Sequence, residues 1–144
     1  TAYLPAKELE LCLRESLENL KLVGVSGFLD ADCSGTFPAA VLVAVYDICE
    51  SALERLLSEL GALLLWLRAT KEGQLLFRIQ MDGDAACVDA SWMTCLPELV
   101  DCEIIQAEAL YITVQWPKKR VDLYRREPVE GGDVNADDHT AVIR

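Results

Sequence analysis

Glu50 and Glu54 stand one helical turn apart in Glu50-Ser-Ala-Leu-Glu54, and Asp82-Gly83-Asp84 follows an apolar stretch further along. At a spacing of four, two helical side chains project from one face. Carboxylate oxygens are hard ligands suited to Mg²⁺. An Asp-Gly turn after a strand adds a further carboxylate beside a glycine, where backbone can come close. Together these residues point to a nucleotide–metal site. The plainer account is a solvated acidic helix face, shared with Asp47 and Glu59, and an ordinary turn after a strand.

The elements that must position these residues can be read from periodicity. Leu9, Leu13, Leu17 and Leu20 form an apolar stripe that predicts a helix over 6–22, with Cys12 on an apolar face. Leu22 to Leu29 reads as a strand weakened by Gly24 and Gly27, and 30–35 as a loop. A second helix is expected over 38–60, capped by Thr36, with Pro38 in its first turn and Gly61 as its stop. Leu42, Val45, Cys49, Leu53, Leu56 and Leu60 line one face of it; Asp47, Glu50 and Glu54 lie roughly opposite. Ala62 to Arg68 is apolar enough for a strand covered on both faces. Lys71-Glu72-Gly73 reads as a hairpin turn leading into Leu75–Met81. A short helix is expected over 89–100, interrupted by Pro97, with Trp92 as a core or lid anchor. Cys102–Glu108 and Leu110–Trp116 read as a closing strand pair, and Pro117 as the end of the sheet.

With 144 residues, 52% of them hydrophobic, the chain can bury one real core. Its longest apolar runs are too short to span a bilayer, and no basic-then-apolar leader opens it. The start at Thr1 reads as a fragment of a longer chain. Residues 1–117 hold 7 basic and 18 acidic side chains, so the whole net charge of −11 falls there. Such a field repels nucleic acid and anionic membrane. It also opposes ATP unless Mg²⁺ or a local basic group intervenes. Six cysteines lack any C-x-x-C pair, and His139 is the one histidine, so zinc-type spacing is absent. Buried free thiols at Cys12 and Cys49 and a reducing cytoplasm fit better than a disulfide scaffold.

The order helix, strand, helix, two strands, weak helix, two strands, with an acid pair on the second helix, resembles the ATP-binding domain of sensor histidine kinases, the GHKL or Bergerat type. The likeness runs over about residues 7–117. It also draws on Arg14-Glu-Ser-Leu-Glu-Asn-Leu20 followed by Gly24-Val25, and on a final strand that stops at Pro117. It implies an α/β two-layer sandwich with a mixed sheet, Mg-ATP as cofactor if the domain is active, and phosphoryl transfer to histidine. Partners would be an upstream dimerisation and phosphoacceptor region and a response regulator, in the cytoplasm, with no nucleic acid and no direct membrane contact.

By this resemblance Glu50 takes the place of the catalytic glutamate. Glu54 stands where the family's Mg²⁺-holding asparagine is expected, and Leu57 where a basic residue is expected. Asp82 takes the place of the adenine-reading aspartate, with Gly83 beside it, but the glycine spacing departs from the family's. No glycine occurs between Asp84 and Glu108, where a phosphate-cradling loop would lie. The sequence therefore reads as a divergent copy with weak or lost nucleotide binding and a signalling or interaction role. An anti-sigma-type serine kinase shares the fold and meets the same objection.

A different class remains open. Without the first helix the order is βαββαββ, near the ferredoxin-like pattern of a small regulatory or ligand-sensing domain, for which strand order 4-1-3-2 is the discriminator. Residues 118–144 read as a polar, mobile tail with six basic and six acidic side chains. His139 within it lacks the helical pattern of a phosphoacceptor. Lys118-Lys119-Arg120 reads as a solvated chain exit, or as a segment that docks an acidic surface.

Overall fold

The computed structural model describes residues 2–59, 61–119 and 141–143. Two short strands, β1 (Tyr3–Pro5) and β3 (Thr36–Pro38), pair antiparallel and launch the two long helices. Helix α1 (Ala6–Leu20) begins directly after β1, and α2 (Ala39–Leu56) directly after β3. Neither helix has a side-chain cap. The expected cap at Thr36 is thus replaced, because Thr36 pairs with Pro5 in the ribbon. The ribbon meets the need differently: Ala6 N–H donates to the Gly35 carbonyl at 3.0 Å and Ala39 N–H to Ala2 at 2.9 Å. Two first-turn donors that a helix leaves orphaned are satisfied by backbone instead of hydroxyls.

Beyond α1, a 3-10 turn over Lys21–Val23 ends at Gly24, whose φ of 83° suits glycine. The first strand of the main sheet, β2, then runs Ser26–Cys33, further along than the periodicity suggests. The expected loop over 30–35 is mostly strand, because β2 pairs in parallel with β4 (Ala62–Ala69) as far as Cys33 opposite Ala69. Strand β4 turns at 70–74 into β5 (Leu75–Met81), which pairs with β7 (Leu110–Trp116), and β7 with β6 (Asp101–Gln106). A last strand, β8 (Ala141–Ile143), adds antiparallel to β6. The sheet order is therefore β2-β4-β5-β7-β6-β8. The sheet extends past Pro117, and most of the expected tail, with His139, lies outside the described residues. A ferredoxin-like arrangement is ruled out, since β2 and β4 are parallel neighbours with α2 as their crossover.

All helices cover one face of the sheet. Leu63, Leu65 and Leu67 of β4, with Phe77 and Ile79 of β5 and Ile112 and Val114 of β7, point inward. Against them pack Leu9, Leu13 and Leu17 of α1 and Val41, Val45, Ile48, Ala52 and Leu56 of α2. At Gly27 a β-carbon would lie 2.6 Å from Leu17 Cδ2, so the bare glycine leaves room for the Leu17 side chain of α1 over β2. Strand β4 is not covered on both faces: it alternates, with Leu64 and Trp66 on the open side. There Trp66 is capped by the Arg68 guanidinium, 4.2 Å from its ring centre. The result is a two-layer α/β sandwich with a mixed sheet.

The segment from Gly83 to Val100 holds less helix than expected. Helix α3 covers only Ala90–Met93, after a 3-10 turn at Ala85–Cys87. Asp84 caps that turn by accepting from Ala86 N–H at 3.0 Å, and Asp89 caps α3 by accepting from Trp92 N–H at 3.1 Å. Of the two cysteines expected to be buried, Cys49 is and Cys12 is not, because the core face of α1 is set by Leu9, Leu13 and Leu17. Among the described residues all six cysteines are free, and no helix is long and apolar enough to cross a membrane.

Candidate functional site

Helix α2 carries two neighbouring stripes, and each meets a different wall. Ser51 and Arg55 lie along one flank, and Glu59 follows four residues later in the 3-10 turn Leu57–Glu59 that continues the helix. Tyr46, Glu50 and Glu54 recur every four residues on the next, rotated by about 100°. The first stripe faces the 83–92 segment; the second faces α1.

The first flank is filled. Trp92 is 2% exposed, and its indole Nε1 donates to Ser51 Oγ at 2.6 Å. Val88 and Ala85 are buried beside it in the common core. Asp89 lies 3.9 Å from Arg55, and the Cys87 thiol donates to Glu59 Oε2 at 3.2 Å. That bond raises the Cys87 pKa, with burial adding to it. At Gly83 a β-carbon would stand 3.2 Å from Leu56 and 3.6 Å from Leu110, so this glycine serves close packing of the strand end on α2. No room for a ring remains between Gly83 and the helix.

The second flank is open. A hollow of about 670 Å³ lies between the end of α1 and the second half of α2. Glu50 and Glu54 both line it with Asn19, Leu20, Val23, Leu53 and Leu57. Asp47 and Ser51, which belong to the first stripe, line it too, so Ser51 stands at the boundary between the two flanks. Glu50 is half-buried and tied down: Ser16 Oγ, 8% exposed as a residue, donates to its Oε2 at 2.8 Å. The Ser16 oxygen also meets the Tyr46 hydroxyl at 3.3 Å. Glu54, one turn on, is exposed. Ser16 is a residue that the sequence reading did not single out. The signal for it is weak: a small polar residue beside the stripe of α1, matched to an acid on another helix.

Asp82 is elsewhere. Leu75, Phe77, Ile79 and Met81 point into the core, so the pleat directs Leu76, Arg78 and Gln80 to the open face. Asp82 continues that parity and is exposed, lining a shallow hollow with Phe28, Leu64 and Gln80. The structure thus brings Glu50 and Glu54 together and separates them from Asp82 and Gly83. A further buried carboxylate, Glu10, is used for structure. Burial would raise its pKa, but hydrogen bonds and charge from Lys7 and Arg14 outweigh this and hold it below the usual value.

The residues present do not fit a magnesium nucleotide. The open hollow has three carboxylates and no basic side chain on its lining, which disfavours a triphosphate. Among the described residues no three His, Cys, Asp or Glu side chains gather closely enough to hold a metal ion. Asp82, the residue expected to meet the base, lines the other face of the sheet.

No protein-family model matches the chain, and no curated protein matches it. Solved structures do. The cytoplasmic segment of histidine kinase QseC aligns at 14% identity and TM-score 0.51, covering 81% of this chain and 74% of that one. Histidine kinase AdeS of Acinetobacter baumannii aligns at 12% identity and TM-score 0.53, over 79% and 66% of the two chains. The histidine kinase domain of the blue-light activated kinase EL346 from Erythrobacter litoralis aligns at 12% identity and TM-score 0.51, over 76% and 60%. The chain spans less than two thirds of the latter two. Its fold is similar to that of these histidine kinase structures.

Proposed function

We propose that this chain is a divergent catalytic-type domain of a two-component sensor histidine kinase, with weak or lost nucleotide binding, that works as a signalling or interaction module. Its partners would be the dimerisation and phosphoacceptor region of a parent kinase and a response regulator, on the cytoplasmic side. The observation that carries this reading is Trp92, buried where the 83–92 segment meets α2 and bonded to Ser51. An active domain of this type would use Glu50 as its catalytic residue, with Glu54 holding Mg²⁺ and Asp82 and Gly83 receiving adenine. Asp82 lies on the open face of the sheet, apart from the two glutamates. Catalysis of phosphoryl transfer is mostly positioning and charge neutralisation, so groups that do not converge supply little of either.

Calorimetric titration with a non-hydrolysable ATP analogue and Mg²⁺ tests the reading. The expected result is no binding tighter than about 100 μM, roughly −5.5 kcal/mol. Tighter binding would sink the proposal. If such binding were then unchanged in Glu50→Ala and Glu54→Ala, the assignment of those two residues would fail as well.

A further inference from the structure

We infer that the groove between α1 and α2 is a docking site for a basic amphipathic helix of a separate partner protein. The groove has an apolar floor and an acidic rim. Leu20 and Leu53 form part of its floor, with Val23, 61% exposed, and Leu57, 41% exposed. Leu22, next to Val23, is 85% exposed. Apolar side chains gathered at one end of a helix pair in this way mark an interaction surface more often than scattered single ones do. Asp47, Glu50 and Glu54 supply the charge, and no lysine, arginine or histidine lines the groove to balance them. Its walls are two helices, not a strand edge, so the geometry that fills it is a third helix packed ridge into groove. Leucine-like side chains on that helix would enter between Val23 and Leu57, and lysines or arginines flanking them would meet the carboxylates.

The basic stretch of this chain, Lys118 to Arg126, has suitable chemistry but begins in the wrong place. The Lys119 N–H donates to Asp101 at 2.7 Å, at the start of β6. Val23 and Leu57 precede β2 and β4, at the opposite end of the sheet. The distance is the diagonal of an eight-residue strand and three strand spacings at right angles to it, about 30 Å. Seven residues past Lys119 reach about 25 Å at full extension. The groove is therefore left for a partner.

This inference rests on reading the chain as an interaction module. The test is fluorescence-anisotropy titration of the protein with a labelled Leu/Lys amphipathic peptide of about 14 residues. A Leu/Glu peptide of the same pattern, and a peptide of residues 118–126, serve as comparisons. The Leu/Lys peptide is expected to bind about tenfold or more tighter than the other two. Asp47→Lys with Glu54→Lys should weaken it about tenfold, and Val23→Asp with Leu57→Asp by a similar factor. Glu8→Lys with Glu72→Lys makes the same change in net charge on exposed sites away from the groove, and should leave binding within about twofold. Three results would overturn the inference: no binding of the Leu/Lys peptide, equal loss in the Glu8/Glu72 control, or tight binding of the 118–126 peptide, which would make a second copy the occupant. Tight ATP-analogue binding would sink the proposed function through a different measurement, so the two failures are distinguishable.

Discussion

The two flanks of α2 are built from adjacent stripes of one helix, yet they are in opposite states. On the 83–92 side an indole, a thiol and a packed glycine close the space, and the Trp92 indole, the Cys87 thiol and the Asp89 carboxylate are each bonded to another protein group. On the α1 side one carboxylate is anchored to a buried serine, while its neighbours Asp47 and Glu54 are exposed on a groove wall. The contrast teaches that the acid pair does not act as a unit. Glu50 helps to hold α1 against α2, and Glu54 is free to meet something from outside.

The largest effect should come from reopening the closed flank. Trp92→Ala removes the largest buried side chain in the segment and leaves Ser51 without its donor. We expect a loss of about 3–5 kcal/mol, read from urea unfolding of the variant against the parent. Trp92→Phe keeps most of the ring volume and should cost far less, about 1–2 kcal/mol, chiefly from the unpaired serine. Equal stability of Trp92→Ala and the parent would mean that the indole does not close this flank, and the comparison would collapse.

Much of this arrangement was legible in the sequence, and the parts that were not share a cause. The stripe Leu42, Val45, Cys49, Leu53, Leu56 located α2, and the alternation of Phe77, Ile79 and Met81 located β5 with its inner face. These patterns are local. The β1–β3 ribbon escaped because three-residue strands bounded by prolines carry no period, and because its pairing joins residues more than thirty positions apart. Thr36 looked like a cap for the same reason: the competing ribbon partner, Pro5, is remote in sequence. Asp82 matched a motif by type and rough position, but which face it takes depends on pleat parity at the strand end, where one residue decides. The split between the Glu50 and Ser51 stripes depends on where α1 and Trp92 sit, and no helical period within α2 encodes that.

An intermediate effect should separate the two glutamates. Glu50→Ala removes the carboxylate that accepts from the buried Ser16 hydroxyl, and should cost about 1–2 kcal/mol. The cost stays in that range because Tyr46 remains within 3.3 Å to take over part of the bond. Glu54→Ala should change stability by less than about 0.5 kcal/mol, as a substitution at an exposed residue with no hydrogen-bond or ion-pair partner among the described residues does. Thermal unfolding of the two variants at one pH checks both. If Glu54→Ala were as costly as Glu50→Ala, the open flank would be as fully engaged as the closed one.

The smallest effect is kinetic and concerns the seam of the closed flank. Cys87 is held as a thiol by its hydrogen bond to Glu59 and by the neighbouring carboxylate charges, which raise its pKa above the ordinary value. The thiolate is the species that attacks an alkylating reagent, so a raised pKa means a smaller reactive fraction at any pH below it. Glu59→Gln removes the carboxylate charge. The pKa should then fall, and the iodoacetamide rate at Cys87, followed by mass spectrometry of the labelled peptide, should rise at a fixed mildly alkaline pH. The profile of rate against pH should move to lower pH in the variant. The same substitution on the open flank, Glu54→Gln, should leave the Cys87 profile where it was, because the second stripe points away from the 83–92 segment. A shift of equal size from Glu54→Gln would mean that the two flanks share one electrostatic environment, and that rotation by a single residue along α2 does not separate them.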